Sequence, residues 1–467
     1  MLFSSITFLY FFLPCVVIIY FSVPKKIKNS VLLFSSLFFY GWGEPRYLIF
    51  LSAAIIQGYT FGLFIEKHRN NKKTSSIFLT ITVLISLGML GYFKYADFFI
   101  GNFNAVFKTE IPLLKIMLPI GISFYTFQLL SYSIDIYRGN TAAQHNFINF
   151  AAYISMFPQL VAGPIVRYSH IASQLKDRKH STDSAAYGIK RFVIGLSKKI
   201  IFANVLGELT ESFRNSTEKS VLFAWLFVIA YTLHVYYDFS GYSDMAIGLG
   251  RIFGFKFPEN FNYPYISRSI TDFWRRWHMS LGTWFRDYLY IPMGGNRVSK
   301  LRWMFNILIV WMATGFWHGA SWNFIIWGLW FSLLLILEKN FLRCFLERNK
   351  ILSHIYVFFA LIISFVIFDS SSMGNAVSMF SSMFGLKGTP LMGTESIYFL
   401  KSYCVIIIAA AFGATPIPAM LVNKISRLKY SRFAVSIIEP LFLTALLAVS
   451  TSFLIDGSFN PFLYFRF

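Results

Sequence analysis

Carboxylates are scarce in this sequence, and so is charge of any kind. Its 467 residues hold 21 Asp and Glu against 42 Lys and Arg, and only 13% of positions are charged. Soluble domains carry about 25% charged residues, so a water-soluble globular domain is excluded. Cysteine is rarer still. Cys15, Cys344 and Cys404 stand far apart in or beside apolar runs, a spacing that excludes a disulfide framework and a zinc site. Strict two-residue alternation is missing, which excludes a membrane β-barrel. Matching halves are also missing, and that counts against repeat-built transporters. No Ser- or Pro-rich linker or low-complexity tract divides the chain, so residues 1–467 are expected to form one integral membrane domain. No Lys or Arg precedes the first apolar run, residues 3–23. The first cations, Lys25, Lys26 and Lys28, follow it, the polarity of a retained span with its N-terminus outside.

What the chain has is apolar length. It is 56% hydrophobic and 20% aromatic, with recurring apolar runs of about 17–25 residues, the length that crosses a bilayer as helix. The expected fold is an all-α polytopic membrane protein. About 11 or 12 spanning helices are counted, with interfacial elements beside them. Pro158, Gly163 and Pro164 interrupt the run 146–166, which is expected to enter the membrane and return. Asp238 and Asp244 are embedded in the run 221–250, and pairing with a nearby Arg or capping a helix break is the favoured reading of both. The net charge of +21 would mark a nucleic-acid binder in a soluble protein. In this one it follows from positive-inside loops against anionic lipid. Membrane lipids, not nucleic acid, are therefore the expected contacts. Basic loops alternate with weakly charged ones, placing both termini, including the tail 456–467, outside the cytoplasm.

The most informative stretch runs from Ser269 to Trp322. Ser269 and Asp272 open a helix as an N-cap pattern. Over 270–289, helical periodicity puts Phe273, Trp277, Trp284 and Tyr288 on one face and Asp272, Arg275, Arg276 and Arg286 opposite, as in a helix lying at the membrane surface. Residues 268–302 hold seven cations against two anions, which assigns them to the cytoplasmic side. From there the chain rises through 303–317 to TGFWHGASW, where Gly315, Gly319 and Ala320 permit close approach of backbones or of a substrate chain. His318 is then a titratable group in apolar surroundings, where the uncharged imidazole is favoured. Two roles fit it: a general base for a hydroxyl attacking an acyl carbon, or a structural histidine bonding between helices.

DFWRRWHMSLGTWFRDYLYIPMGGNR followed by FWHGASWNFIIWG resembles the membrane-bound O-acyltransferase family, in its bacterial branch that acetylates alginate, peptidoglycan and cellulose. The likeness extends to MLFSSITFLYFFLP, LPIGISFYTFQLLSYSIDIYRG, FPQLVAGPIVR and YYDFSGYSDMAIGLGRIFGF. The family's two histidines stand at His278 and His318. The resemblance implies helices around a central funnel or tunnel, in a multi-pass protein of the bacterial inner membrane. Its implied activity passes acetyl from a cytosolic thioester, acetyl-CoA, to a hydroxyl on the far side, with no bound cofactor or metal. In that picture His318 is the general base in the tunnel. His278 either stabilises the thioester or holds helices together. Arg275, Arg276 and Arg286 meet either CoA phosphates or lipid headgroups.

The C-terminal NPFLYFRF carries two readings. It is an interfacial aromatic anchor with Arg466 at the headgroups, or it turns back into the funnel and offers Tyr464 as first acyl acceptor. A phenol with a pKa of about 10 gives an ester between a thioester and a sugar ester in energy, the order a relay requires. The polymer to be acetylated is alginate, peptidoglycan or another exopolysaccharide. A separate periplasmic or surface O-acetyltransferase is the expected partner, because the chain has no soluble Ser-His-Asp domain. The rival reading, from another class, is a transporter or channel using buried His and Asp as a proton relay.

Overall fold

In lipid, a backbone must satisfy its own hydrogen bonds, and helices do so within a single segment. The computed structural model of the chain describes residues 1–161, 163–426, 431–457 and 460. It is built from helices, and no strand occurs among the described residues. Seven helices among them are long and apolar enough to cross a membrane: Pro45–Lys67, Lys72–Phe107, Val221–Ile252, Trp322–Arg348, Lys350–Asp369, Thr394–Gly413 and Val435–Ile455. The protein is an all-α, multi-pass membrane protein.

Several other apolar runs fold with breaks, while Lys28–Gly43 and Lys300–His318 form unbroken helices outside those seven. Residues 3–23 become a π-helical turn, Thr7–Phe12, leading into Leu13–Ser22. In 112–137 only Ile122–Arg138 is helical, starting after Gly121 at φ +76°. The stretch 146–166 is interrupted, as its prolines imply: Phe147–Ser155 stops at Met156, and Phe157–Leu160 carries Pro158 in its first turn.

The chain divides into two compact units, residues 1–192 with 245–258 and residues 193–244 with 259–467. In the first, Leu48–Lys67 packs with Lys72–Leu90 and Ile122–Arg138. The second has an aromatic core in which Phe273, Trp277, Trp311, Trp327, Phe331 and Phe365 are buried. Its tightest feature is the pair Lys300–His318 and Trp322–Leu337. A Cβ on Gly315 would stand 2.2 Å from the Phe324 carbonyl oxygen, and one on Gly328 would stand 2.2 Å from that of Trp311. Only glycine fits where two helix backbones touch in this way.

Both embedded aspartates are paired, with Lys rather than Arg. Lys199 Nζ lies 2.5 Å from Asp238, the side chains 2% and 3% exposed, and Lys198 Nζ lies 2.7 Å from Asp244. The two lysines begin the π-helical turn Lys198–Asn204. Separating a buried pair leaves one charge without its counter-ion, whereas replacing both members is tolerated. Lys199→Met is therefore expected to destabilise the protein by about 3–5 kcal/mol. The double change Lys199→Met with Asp238→Leu should recover most of that. Thermal unfolding in an uncharged detergent checks both.

Candidate active site

The site is assembled from short helices held by distant side chains. Ser269 caps as its position implies, its Oγ accepting from the Asp272 N–H at 2.9 Å. A second anchor comes from 68 residues downstream. Buried Glu338 accepts from the N–H groups of Ile270 and Thr271 and from the Thr271 hydroxyl. A carboxylate at this end also suits the helix dipole.

The continuous helix over 270–289 does not form. The chain makes Ile270–Trp274, bends, makes Met279–Phe285, and ends in the π-helical turn Arg286–Tyr290. The bend is at His278, with φ +44° and ψ +51°, a left-handed conformation that a non-glycine residue keeps only when its surroundings fix it. Asn260 does the fixing. Its carbonyl oxygen accepts from the Met279 N–H at 3.0 Å. Its side-chain Oδ1 accepts from Ser280 N–H at 3.2 Å and Ser280 Oγ at 2.9 Å. Asn260 thus supplies acceptors that a continuous helix would have supplied from its own backbone.

The same oxygen sets the His278 tautomer. Asn260 Nδ2 donates to Ser243 Oγ at 3.0 Å, which orients the amide and leaves Oδ1 to face His278 Nδ1 at 3.1 Å. A carbonyl-type oxygen only accepts, so Nδ1 carries the proton and Nε2 presents a lone pair. His278 is 1% exposed, and among the described residues Nε2 has no hydrogen-bond partner. Burial, and secondarily the neighbouring His318, hold its pKa well below the ordinary histidine value. Asn260→Ala strands three donors at once, and leaving buried donors unmet costs about 1–3 kcal/mol each. A fall in thermal midpoint is expected, accompanied by loss of the bend's protection in amide exchange at Met279 and Ser280.

His318 ends the helix Lys300–His318, and the chain continues in extended conformation at Gly319. The half-buried imidazole meets the Trp317 ring at 5.0 Å, Trp327 edge-on at 5.0 Å and Phe368 at 5.4 Å. It opens on an aromatic cavity whose wall includes Trp274, Trp277, Phe365 and Phe368, with Asp238 and Ser364 as other polar contributors. His278 does not line this cavity. It stands behind Phe239, a wall residue whose ring lies 4.6 Å away. Both imidazoles contact Trp317, His278 at 6.0 Å between ring centres.

The three arginines are not gathered at the cavity. Arg276 Nε donates to Asp272 at 3.0 Å, and its Nη1 donates to the Asn262 carbonyl. Exposed Arg286 pairs with Asp287 at 2.7 Å, and Arg275 is exposed. Tyr464 and Arg466 lie outside the described residues. Among the described residues, no three His, Cys, Asp or Glu side chains come together as a metal-ligand set. Sequence reading passed over Asn260, Glu338, Phe365 and Phe368. Only Glu338 carried a usable signal, as a carboxylate ending an apolar run.

Comparison with known proteins gives the family. The model of MBOAT, the membrane-bound O-acyltransferase family, matches residues 141–378, which include both histidines. The chain is 38% identical over 503 aligned positions, covering all of both chains, to the "Probable alginate O-acetylase AlgI" of Azotobacter vinelandii. It is 34% identical to the "Peptidoglycan O-acetyltransferase" of Helicobacter pylori, over 86% of this chain and 83% of the relative. The "Teichoic acid D-alanyltransferase" of Bacillus subtilis is 32% identical over 46% of this chain and 58% of its own length. The chain is an O-acyltransferase and belongs to the membrane-bound O-acyltransferase family.

Proposed function

We propose that the protein transfers acetyl from a cytosolic thioester, acetyl-CoA, for O-acetylation of an extracytoplasmic polysaccharide, from a place in the bacterial inner membrane. The observation that carries the reading is His318, an imidazole at a helix end facing a cavity walled by aromatic rings. The names of the relatives that match over most of this chain, alginate O-acetylase and peptidoglycan O-acetyltransferase, support acetyl as the acyl group.

In this reading His318 accepts the proton of an acceptor hydroxyl as its oxygen attacks the thioester carbonyl. The C–O bond forms, the C–S bond breaks, and the departing thiolate takes the proton from the imidazolium. His278, enclosed and held by Asn260, acts as the residue of the bend that follows Trp274 and Trp277 of the cavity wall. Arg275, exposed and outside the ion pairs, is the best placed of the three arginines for a donor phosphate. Tyr464 is the first acceptor, from which a separate extracytoplasmic acetyltransferase takes the group. Asn460, four residues before it in the sequence, accepts a hydrogen bond from Asn204 Nδ2 at 3.2 Å.

The test supplies labelled acetyl-CoA to inside-out membrane vesicles containing the protein. Label is expected on Tyr464 or on glycan, and its absence from both, with the protein intact, removes the reading. Tyr464→Phe is expected to abolish label on the chain itself. Undiminished self-labelling would exclude the relay and leave acetyl transfer standing.

A further inference from the structure

The first compact unit, which contributes no residue to the acyl-transfer cavity, gathers cations around a single tyrosine. Tyr20 lies in the last turn of the apolar helix Leu13–Ser22, and KKIK follows at 25–28. Lys28 Nζ lies 4.6 Å from the centre of the Tyr20 ring and 4.8 Å from that of Phe21. The Arg178 guanidinium is 5.6 Å from the Tyr20 ring and 4.4 Å from that of Phe255. The His180 ring is 5.6 Å from Tyr20, with Nε2 2.9 Å from the Tyr20 hydroxyl.

Arg178 is fixed there rather than sweeping through solvent. Its Nε donates to Tyr20 Oη at 2.9 Å and to the Phe253 carbonyl at 3.0 Å. Its Nη1 donates to Asn29 Oδ1 at 2.7 Å and to the Gln174 carbonyl. Every one of these acceptors is neutral. Among the described residues, no carboxylate forms an ion pair with Lys25, Lys28 or Arg178.

The field of the cluster registers on its own members. Burial first, then the Arg178 and Lys25 charges, lower the Lys28 pKa from the usual lysine value. Burial, then Lys28 and Arg178, lower that of His180. Like charges held together raise the free energy of the fold unless an anion offsets them. A positive-inside loop needs cations somewhere on its length, but it does not require them to be locked around one ring.

We infer that Lys28 and His180, over the fixed charge of Arg178, form a binding site for a phosphate group. The cluster begins where the apolar helix gives way to basic chain, a level at which a phospholipid headgroup and a free phosphate both arrive. Lys28 supplies the mobile donor, and Arg178 supplies a permanent charge behind it. The inference is independent of the acyl-transfer reading, because no residue in it belongs to the cavity.

The test uses the full chain in an uncharged detergent, with three probes: dihexanoyl-phosphatidylglycerol, inorganic phosphate, and dihexanoyl-phosphatidylcholine as the neutral control. Saturable binding of phosphatidylglycerol alone assigns a lipid headgroup, and binding that includes inorganic phosphate assigns a free phosphate. Binding should weaken with salt. Lys28→Gln should reduce affinity about tenfold, the equivalent of one charge-assisted hydrogen bond, while Lys28→Arg should retain it. Without anion, Lys28→Gln should leave the thermal midpoint unchanged or higher, since it relieves repulsion. With anion, the variant should lack the rise in midpoint seen in the parent. Neither anionic probe outbinding the neutral lipid, unchanged affinity in Lys28→Gln, or a lower anion-free midpoint in that variant would each overturn the inference.

Discussion

Replacing His318 by Gln is expected to cut acetyl transfer by about 10²–10⁴-fold, the range that a positioned general base contributes. Glutamine keeps the volume and a polar tip, so the contacts with Trp317, Trp327 and Phe368 persist in large part. It cannot take a proton from a hydroxyl. The loss should therefore fall on turnover, with donor affinity nearly unchanged. Product formation from labelled acetyl-CoA across a donor titration separates the two effects. A parental rate in a correctly inserted Gln variant would falsify the assignment of His318 as base. His278→Gln supplies the contrast. Its ring lies outside the cavity and holds a left-handed bend, so that variant is expected to lower the thermal midpoint as well as the rate.

The second large effect is expected at the glycine contact. Gly315→Val or Gly328→Val sets a branched side chain where even a Cβ would lie 2.2 Å from a carbonyl oxygen. The obstacle is backbone, which cannot rotate aside as a side-chain tip can. Overpacking of ordinary cores costs about 1–3 kcal/mol, and this contact should exceed that range because the two helices must separate. His318 closes one of those helices, so activity and fold should be lost together. Size-exclusion profiles in detergent read the fold, and the acetyl assay reads the site. Gly101→Ala is the control. Nothing lies within 4 Å of a Cβ at that helical position, and the change should stabilise by about 0.5–1 kcal/mol.

These sites differ in how legible they were in the chain. Ser269 as a cap could be read because its partner is three residues away. Gly315 beside an apolar run implied close backbones, and the structure supplies them. The bend at His278 could not be read, since aromatic spacing over 270–289 fits a helix equally well. The bend depends on Asn260, whose carbonyl and side chain capture the turn from 18 residues upstream. Lys199 as the counter-ion of Asp238 was hidden for a similar reason. Arg is the usual choice for buried pairing, and the π-helical turn that delivers Lys199 leaves no compositional mark. Phe365 and Phe368 sit in a run whose hydropathy marks a span without showing which face meets a cavity. Local capping and periodicity are written in neighbouring residues. Tertiary capture is not.

The Lys199–Asp238 pair bears on which acyl groups the enzyme can handle. Asp238 is the one carboxylate among the residues named at the cavity wall, and its charge is already matched by an ammonium 2.5 Å away. An acyl group bearing its own amine or carboxylate would leave its hydration shell and meet aromatic rings in exchange, at a penalty of several kcal/mol per ion. An uncharged acyl group forfeits almost nothing on entry. In the acetyl-transfer reading the chamber is therefore expected to discriminate by formal charge before it discriminates by size, because the charge of its wall carboxylate is already offset.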